Sequence, residues 1–126
     1  MIVLIAKDIM STEVVTIEGS ATVAEAIAKM KETGLRDLIV DRRDEGDAYG
    51  ILTETDVVYK VFSQRKDPRE VKVHQVMGKP CVVVNPDLAV EYVARLFANM
   101  RIRRAPVIKG KLLGVISITD IVRKAL

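Results

Sequence analysis

Cysteine and histidine occur once each, as Cys81 and His74. A single cysteine excludes an internal disulfide and agrees with a reducing compartment. Cys81 opens the run CVVV, where a buried small apolar residue is expected. One histidine leaves no Cys/His cluster for zinc. His74 lies in VKVHQVM, where a surface role is favoured over a nucleophile pair with Cys81. Aromatic residues are scarce as well: Tyr49, Tyr59, Phe62, Tyr92 and Phe97. None of them interleaves with the basic run RIRR (101–104), so no platform for stacking nucleic-acid bases is evident. No Gly-rich phosphate loop, metal cluster or nucleophile elbow is present, so no catalytic residue, no metal and no enzymatic activity are expected. Long apolar runs are missing too. MIVLIA is broken after six residues by Lys7 and Asp8, too soon for a secretory core or a membrane span. The expectation is a soluble cytoplasmic protein whose first residues form a strand or pack on the core.

What is present is a chain of 126 residues, the size of one compact domain. It can bury roughly two-thirds of its unfolded surface without staples. The net charge of +3 is unevenly spread. Residues 1–66 carry nine basic and twelve acidic side chains, whereas residues 67–126 carry eleven and five. The second half is the one suited to an anion.

The chain repeats itself. Shifted by 67 positions, Met10, Val15, Val23, Arg36 and Val40 fall on Met77, Val82, Val90, Arg103 and Val107. The apolar pattern repeats further: Ile9, Ile17, Met30 and Leu35 meet Val76, Val84, Phe97 and Ile102. Ala26–Ile27 in one half becomes Val93–Ala94 in the other, an exchange of bulk that packed cores tolerate. After Val40 the first half carries three extra residues, placed in a turn, where added length costs little. The halves then realign at Gly50 and Gly114.

Each half reads as β-α-β-β-α. The runs 14–17 and 82–84 are β-branched and predict strands. Segments 22–33 and 89–100 place apolar residues at helical spacing. Thr22 and Glu25 suit a capping box, and Gly34 a C-terminal stop. Strands are predicted at 37–41 and 105–109, then at 49–53 and 112–117. A second helix follows each, over 54–65 and from 118 onward. The division is 1–66, a connection at 67–75, and 76–126. A single half of this size is marginal as a core, so the pair is expected to be the folding domain.

The halves are most alike at GILTETDVV and GVISITDIV, where four of nine letters are identical. A structural reading accounts for much of this. Thr53 or Ser117 would cap the following helix, with Asp56 or Asp120 at its third position. Gly50 and Gly114 would serve a turn or a close approach of backbone. The joint recurrence of glycine, hydroxyl, threonine and aspartate exceeds what a cap alone requires.

With these motifs in order twice over, the sequence resembles a tandem CBS-domain pair, or Bateman module, from about Ala6 to Leu126. The resemblance implies an α/β (α+β) fold of two repeats packed about a pseudo-two-fold axis. It implies a regulatory, energy-sensing module that binds AMP, ADP or ATP in clefts between the repeats without catalysis. S-adenosylmethionine and methylthioadenosine are further adenosyl ligands of the family. The implied roles are ribose-diol acceptors at Asp56 and Asp120, and phosphate-side hydroxyls at Thr53 and Ser117. Arg36, Arg103 and Arg104 would meet phosphate, while Thr16, Ile17, Val83 and Val84 line the purine pocket. Thr119 and Pro106 complete the family pattern in the second half.

An ionised carboxylate accepts both protons of a cis-diol, and arginine adds charge-assisted bonds to phosphate. The two sites should be unequal, because Asp37 stands where the second half has Arg104, and Ile39 where it has Pro106. Asp37 would repel a phosphate or neutralise a neighbouring arginine. The resemblance also implies a homodimer, and an effector protein acting in trans, since the chain has no room for an output domain. The alternatives are an assembly module without nucleotide, and nucleic-acid binding through the basic second repeat. The latter would weaken steeply with salt.

Overall fold

A computed structural model describes residues 3–126 of the chain. Contacts divide it into two compact units. The central unit is Val15–Cys81, and the terminal unit joins the chain up to Val14 with Val82–Leu126.

In the central unit, β1 (Thr16–Ile17) pairs parallel with β2 (Asp37–Val40), which pairs antiparallel with β3 (Gly50–Thr53). The register sets Asp37 opposite Thr53 and Val40 opposite Gly50. Between β1 and β2 runs helix α2 (Val23–Thr33), whose predicted signals all operate. Thr22 Oγ1 accepts the Glu25 amide at 3.1 Å, and Glu25 Oε2 accepts the Thr22 amide at 3.2 Å. Gly34 ends the helix at φ +73°, in the left-handed region glycine enters without a Cβ clash. Val23 and Ala26 turn inward to meet Ile17, Leu38, Val40, Leu52 and Val61.

The second helix of this unit departs from expectation. Helix α3 covers only Glu54–Val57, and Val58–Phe62 continues as a π-helix. Its wider turns show in the bonds from the Ser63 amide to Val58 O (2.8 Å) and from Lys66 to Val61 O (3.1 Å). Val61 is buried, whereas Tyr59 and Phe62 are 67% and 78% exposed. The expected connection 67–75 is not a free link. It ends in a 3₁₀ turn, Val73–Gln75, and Val73 and Val76 enter the central core.

The terminal unit repeats the plan. Helix α4 (Val90–Met100) packs Val90, Val93 and Phe97 on a two-stranded sheet, β4 (Arg104–Lys109) with β5 (Lys111–Ser117). Helix α5 (Ile118–Lys124) completes it. The strand predicted at 82–84 reduces to one parallel bridge, Val84 to Val107, held by bonds to Pro106 O and from Ile108 N, each 2.9 Å. At the start of the chain, Met1 and Ile2 fall outside the described residues. Ile5 bridges to Ala89, and the chain then forms a four-residue helix α1 (Ala6–Ile9), not a strand. Ala6 and Ile9 are buried in the terminal core, so the expectation of core packing holds there.

The leading segments are thus exchanged. Residues 5–11 serve the second repeat, through Ile5 with Ala89 and Ser11 with Val115. Residues 72–78 serve the first, through Lys72 with Thr22 and Gly78 with Ile51. The correspondence extends to single bonds: Ala6 N to Leu88 O (2.8 Å) mirrors Val73 N to Ala21 O (2.9 Å).

This exchange accounts for the repeated glycines. A Cβ on Gly114 would lie 2.6 Å from Ser11 O and 2.8 Å from Met10 Sδ. On Gly50 it would lie 2.8 Å from Met77 Sδ and 3.1 Å from Gly78 O. Only glycine lets the leading segment lie this close to the strand.

Candidate functional site

In each unit the strand ending in the hydroxyl residue delivers the chain into the second helix. Thr53 Oγ1 accepts the Asp56 amide (3.1 Å), and Asp56 Oδ2 accepts both the Thr53 amide and its hydroxyl (3.0 Å each). Ser117 and Asp120 repeat this at 3.1, 2.9 and 3.0 Å. The capping expected from sequence is therefore formed twice. It also aims each carboxylate. Oδ1 of Asp56 faces Lys60 at 3.0 Å, and Oδ1 of Asp120 faces Lys124 at 3.2 Å. Neither aspartate points freely into water, their side chains being 17% and 14% exposed.

The lysines were not singled out from sequence. Their signal was legible, since TDVVYK and TDIVRK both place Lys four residues after Asp on one helical face. Each lysine also ties the leading segment down. Lys60 Nζ donates to Val76 O (2.9 Å) and Lys124 Nζ to Ile9 O (3.0 Å).

The arginines before the middle strands join the same corner through their backbones. The Arg36 carbonyl accepts the Glu54 amide (3.0 Å), and the Arg103 carbonyl accepts the Ile118 amide (2.9 Å). Both side chains are exposed. Next to them the units differ. Asp37 stands opposite Thr53, while Arg104 stands opposite Ser117. Asp37 is buried, and neither it nor Arg104 is without a bonding partner.

The strand residues expected to line a purine pocket divide into two kinds. Ile17 and Val84 are buried in the cores of their units. Thr16 is half-buried, its carbonyl accepting Lys29 Nζ at 2.7 Å, and Val83 is 49% exposed. Pro106 is fully buried in β4, opposite Val115, and Thr119 is exposed on the first turn of α5. Thr16 and Ile17 also border a polar hollow of about 520 Å³ at the far end of β1, with Glu18, Glu25, Lys29 and Asp41.

Cys81 is half-buried, not fully buried as expected, and burial pushes its thiol up to about 11. A thiol so protonated near neutral pH is a poor nucleophile. His74 is exposed. Among the described residues, no group of three or more His, Cys, Asp or Glu is placed to hold a metal ion, and no helix is long and apolar enough to cross a membrane.

Known proteins share this fold. A hexameric CBS-CP12 protein from bloom-forming cyanobacteria is 62% identical, with a TM-score of 0.90, over 98% of this chain and 73% of that one. The uncharacterized protein MK0525 of Methanopyrus kandleri is 37% identical over 88% of this chain. This chain spans only 57% of that relative's length. The CBS domain pair of protein MJ0100, solved with 5′-methylthioadenosine and S-adenosyl-L-methionine, has a TM-score of 0.82 at 22% identity, over 97% of this chain and 95% of that one. The CBS domain family itself matches residues 6–63 and again 73–126. Two matches in one chain, each with its capped aspartate corner, make this protein a member of the CBS-domain family, built as a tandem pair.

Proposed function

We propose that this CBS pair is a regulatory module that binds an adenine nucleotide, AMP, ADP or ATP, without transforming it. The observation that carries the reading is the corner repeated in both units: an aspartate, a hydroxyl residue and an arginine gathered where the second helix begins. A carboxylate has about four lone-pair positions. The cap takes two on Oδ2 and the lysine one on Oδ1, which leaves Asp56 and Asp120 able to accept a ribose hydroxyl. A second hydroxyl would displace the lysine, freeing an ammonium for a phosphate. The fold houses adenosyl compounds in the MJ0100 pair; at 22% identity that likeness carries the fold and not the choice of ligand.

The assigned residues are Thr16, Arg36, Thr53 and Asp56 in the central unit, with Ile17 behind them. In the terminal unit they are Val83, Arg103, Arg104, Ser117, Thr119 and Asp120, backed by Val84 and Pro106. The terminal corner is the stronger phosphate site, since Arg104 stands where the central unit has Asp37. Occupancy is passed on by shifting the population of states in the protein's own oligomer or in an effector protein. That requires the ligand to bind those states unequally. Self-association is favoured by exposed Tyr59, Phe62, Met100 and Val122, and by the hexameric state of the 62%-identical relative.

Calorimetric titration with AMP, ADP, ATP and S-adenosylmethionine tests the reading. At least one should bind, and Asp120→Asn should weaken it at least tenfold in a protein that still unfolds cooperatively, its melting lowered only modestly by loss of the Lys124 ion pair. Heat from none of the four would leave an assembly module in its place.

A further inference from the structure

Two lysines, one in each unit, tie the aspartate corner to a leading segment. Lys60 Nζ lies 3.0 Å from Asp56 Oδ1 and donates to Val76 O at 2.9 Å. Lys124 Nζ lies 3.2 Å from Asp120 Oδ1 and donates to Ile9 O at 3.0 Å. The two carbonyls are themselves equivalent, 67 positions apart in the sequence. Among the described residues no backbone amide donates to either of them, so the ammonium is the donor that the protein supplies.

Just beyond each carbonyl the segment is pinned to its edge strand by one pair of backbone bonds. Ser11 and Val115 exchange bonds of 2.8 and 2.9 Å, and Gly78 and Ile51 do the same at 2.8 and 2.9 Å. An ammonium offers only donors. Here the carboxylate fixes where the ammonium stands, and the ammonium fixes the carbonyl of the segment. Both lysine side chains are 47% exposed, so water competes for the charge and the pair opens readily.

We infer that Lys60 and Lys124 are positioning residues that make the leading segments respond to ligand. When ribose hydroxyls occupy Oδ1 of the aspartate, the ammonium leaves it and the Val76 or Ile9 carbonyl loses its donor. Residues 76–78 or 9–11 then loosen on their strand. This rests on the nucleotide reading above and adds the path by which an occupied corner becomes visible outside itself. The central corner reports through 76–78 and the terminal corner through 9–11, so the two are told apart by position. An effector that grips the loosened segment binds the empty and occupied states unequally, which is the condition a population shift requires.

Amide hydrogen exchange at Ser11 and Gly78 tests this on the full chain, with and without AMP, ADP, ATP or S-adenosylmethionine, each at a concentration that calorimetry shows to saturate. Binding by itself stabilises the folded state and slows exchange. Release of a lysine instead speeds exchange locally, by roughly two- to fivefold, the scale of one half-exposed ion pair. In Lys124→Met, which removes the charge and keeps an unbranched stem, Ser11 should exchange at the faster rate before nucleotide is added, and nucleotide should bring no further rise. Lys60→Met should do the same at Gly78. The buried residues Leu38, Leu52, Ala105 and Ile116 must keep their protection in both variants. Where a variant loses it, the wild-type comparison decides alone. Binding with unchanged or slowed exchange at both amides overturns the role of the lysines and leaves the nucleotide reading standing. A further rise in the variants on adding nucleotide places the release elsewhere and overturns it too. Heat from none of the four ligands removes the nucleotide reading and this inference with it.

Discussion

Arg101 ends α4 at φ +54°, the conformation its counterpart Gly34 adopts at φ +73° after α2. For a residue with a Cβ the left-handed region costs roughly 1–2 kcal/mol, against a smaller loss of unfolded-state freedom. Arg101→Gly should therefore raise stability by about 0.5–1 kcal/mol, and Gly34→Ala should lower it by a similar amount, both read by urea unfolding. The glycines of the repeated heptad make a sharper case. At Gly114 a methyl group would press on the Ser11 carbonyl, which cannot retreat without breaking its ladder with Val115. At Gly50 the first obstacle is the flexible thioether of Met77. Gly114→Ala should cost at least about 2–3 kcal/mol and Gly50→Ala clearly less. Equal losses would mean that the two approaches are not as tight as described.

Among the elements, the long turn between β2 and β3 is held by Asp47, which accepts from Arg43 Nε (3.0 Å) and from Lys79 Nζ (2.7 Å), 32 residues further along. These hydrogen bonds, Arg43 first, hold the Asp47 carboxyl well below the usual carboxylate range. A depressed folded-state value means that its contribution is complete above the ordinary aspartate pKa of about 3.9 and fades as pH falls toward the folded value. The stability gap between wild type and Asp47→Asn should be constant from pH 7 down to about 5 and shrink below about 4, measured by urea unfolding across pH. Where local signals were strong, the elements could be read directly. The Thr22–Glu25 cap, the Gly34 stop and the Thr53–Asp56 and Ser117–Asp120 corners lie where sequence puts them. The π-helix at 58–62 was not legible, because over so few residues its apolar spacing is hard to tell from that of an α-helix, and the thinning of 82–84 to a single bridge depends on Val107, distant in sequence. Helix α1 and the 3₁₀ turn span about one turn each, so no repeating apolar pattern could announce them. A trace existed all the same: Asp8 accepts from Ile5 N, and Gln75 from Lys72 N, 67 positions later.

At the scale of the whole molecule, the sequence repeat and the compact units do not coincide. The repeat begins near Ile5 and again near Lys72, yet each leading segment completes the unit that holds the other repeat's helices. That exchange is invisible to a pairwise comparison of the halves, since both assignments satisfy the same apolar pattern. It predicts that joining Leu126 to Met1 by a flexible linker and opening the chain before Val15 should leave a folded protein, for each unit is then drawn from one unbroken stretch. Deleting residues 1–11 should instead expose the terminal unit, read as lost amide protection at Ala105, Val107 and Ile116 while Leu38 and Leu52 stay protected. There is also a consequence for the order of assembly during synthesis. The central unit can close as soon as Cys81 has emerged, but Ala6 and Ile9, made before it, have no home until β5 and α5 are made. At about 5–20 residues per second the opening segment waits for several seconds with its apolar side bare. The segment ahead of the central unit is therefore the later of the two to settle, and its bare apolar side is what a nascent-chain chaperone would meet.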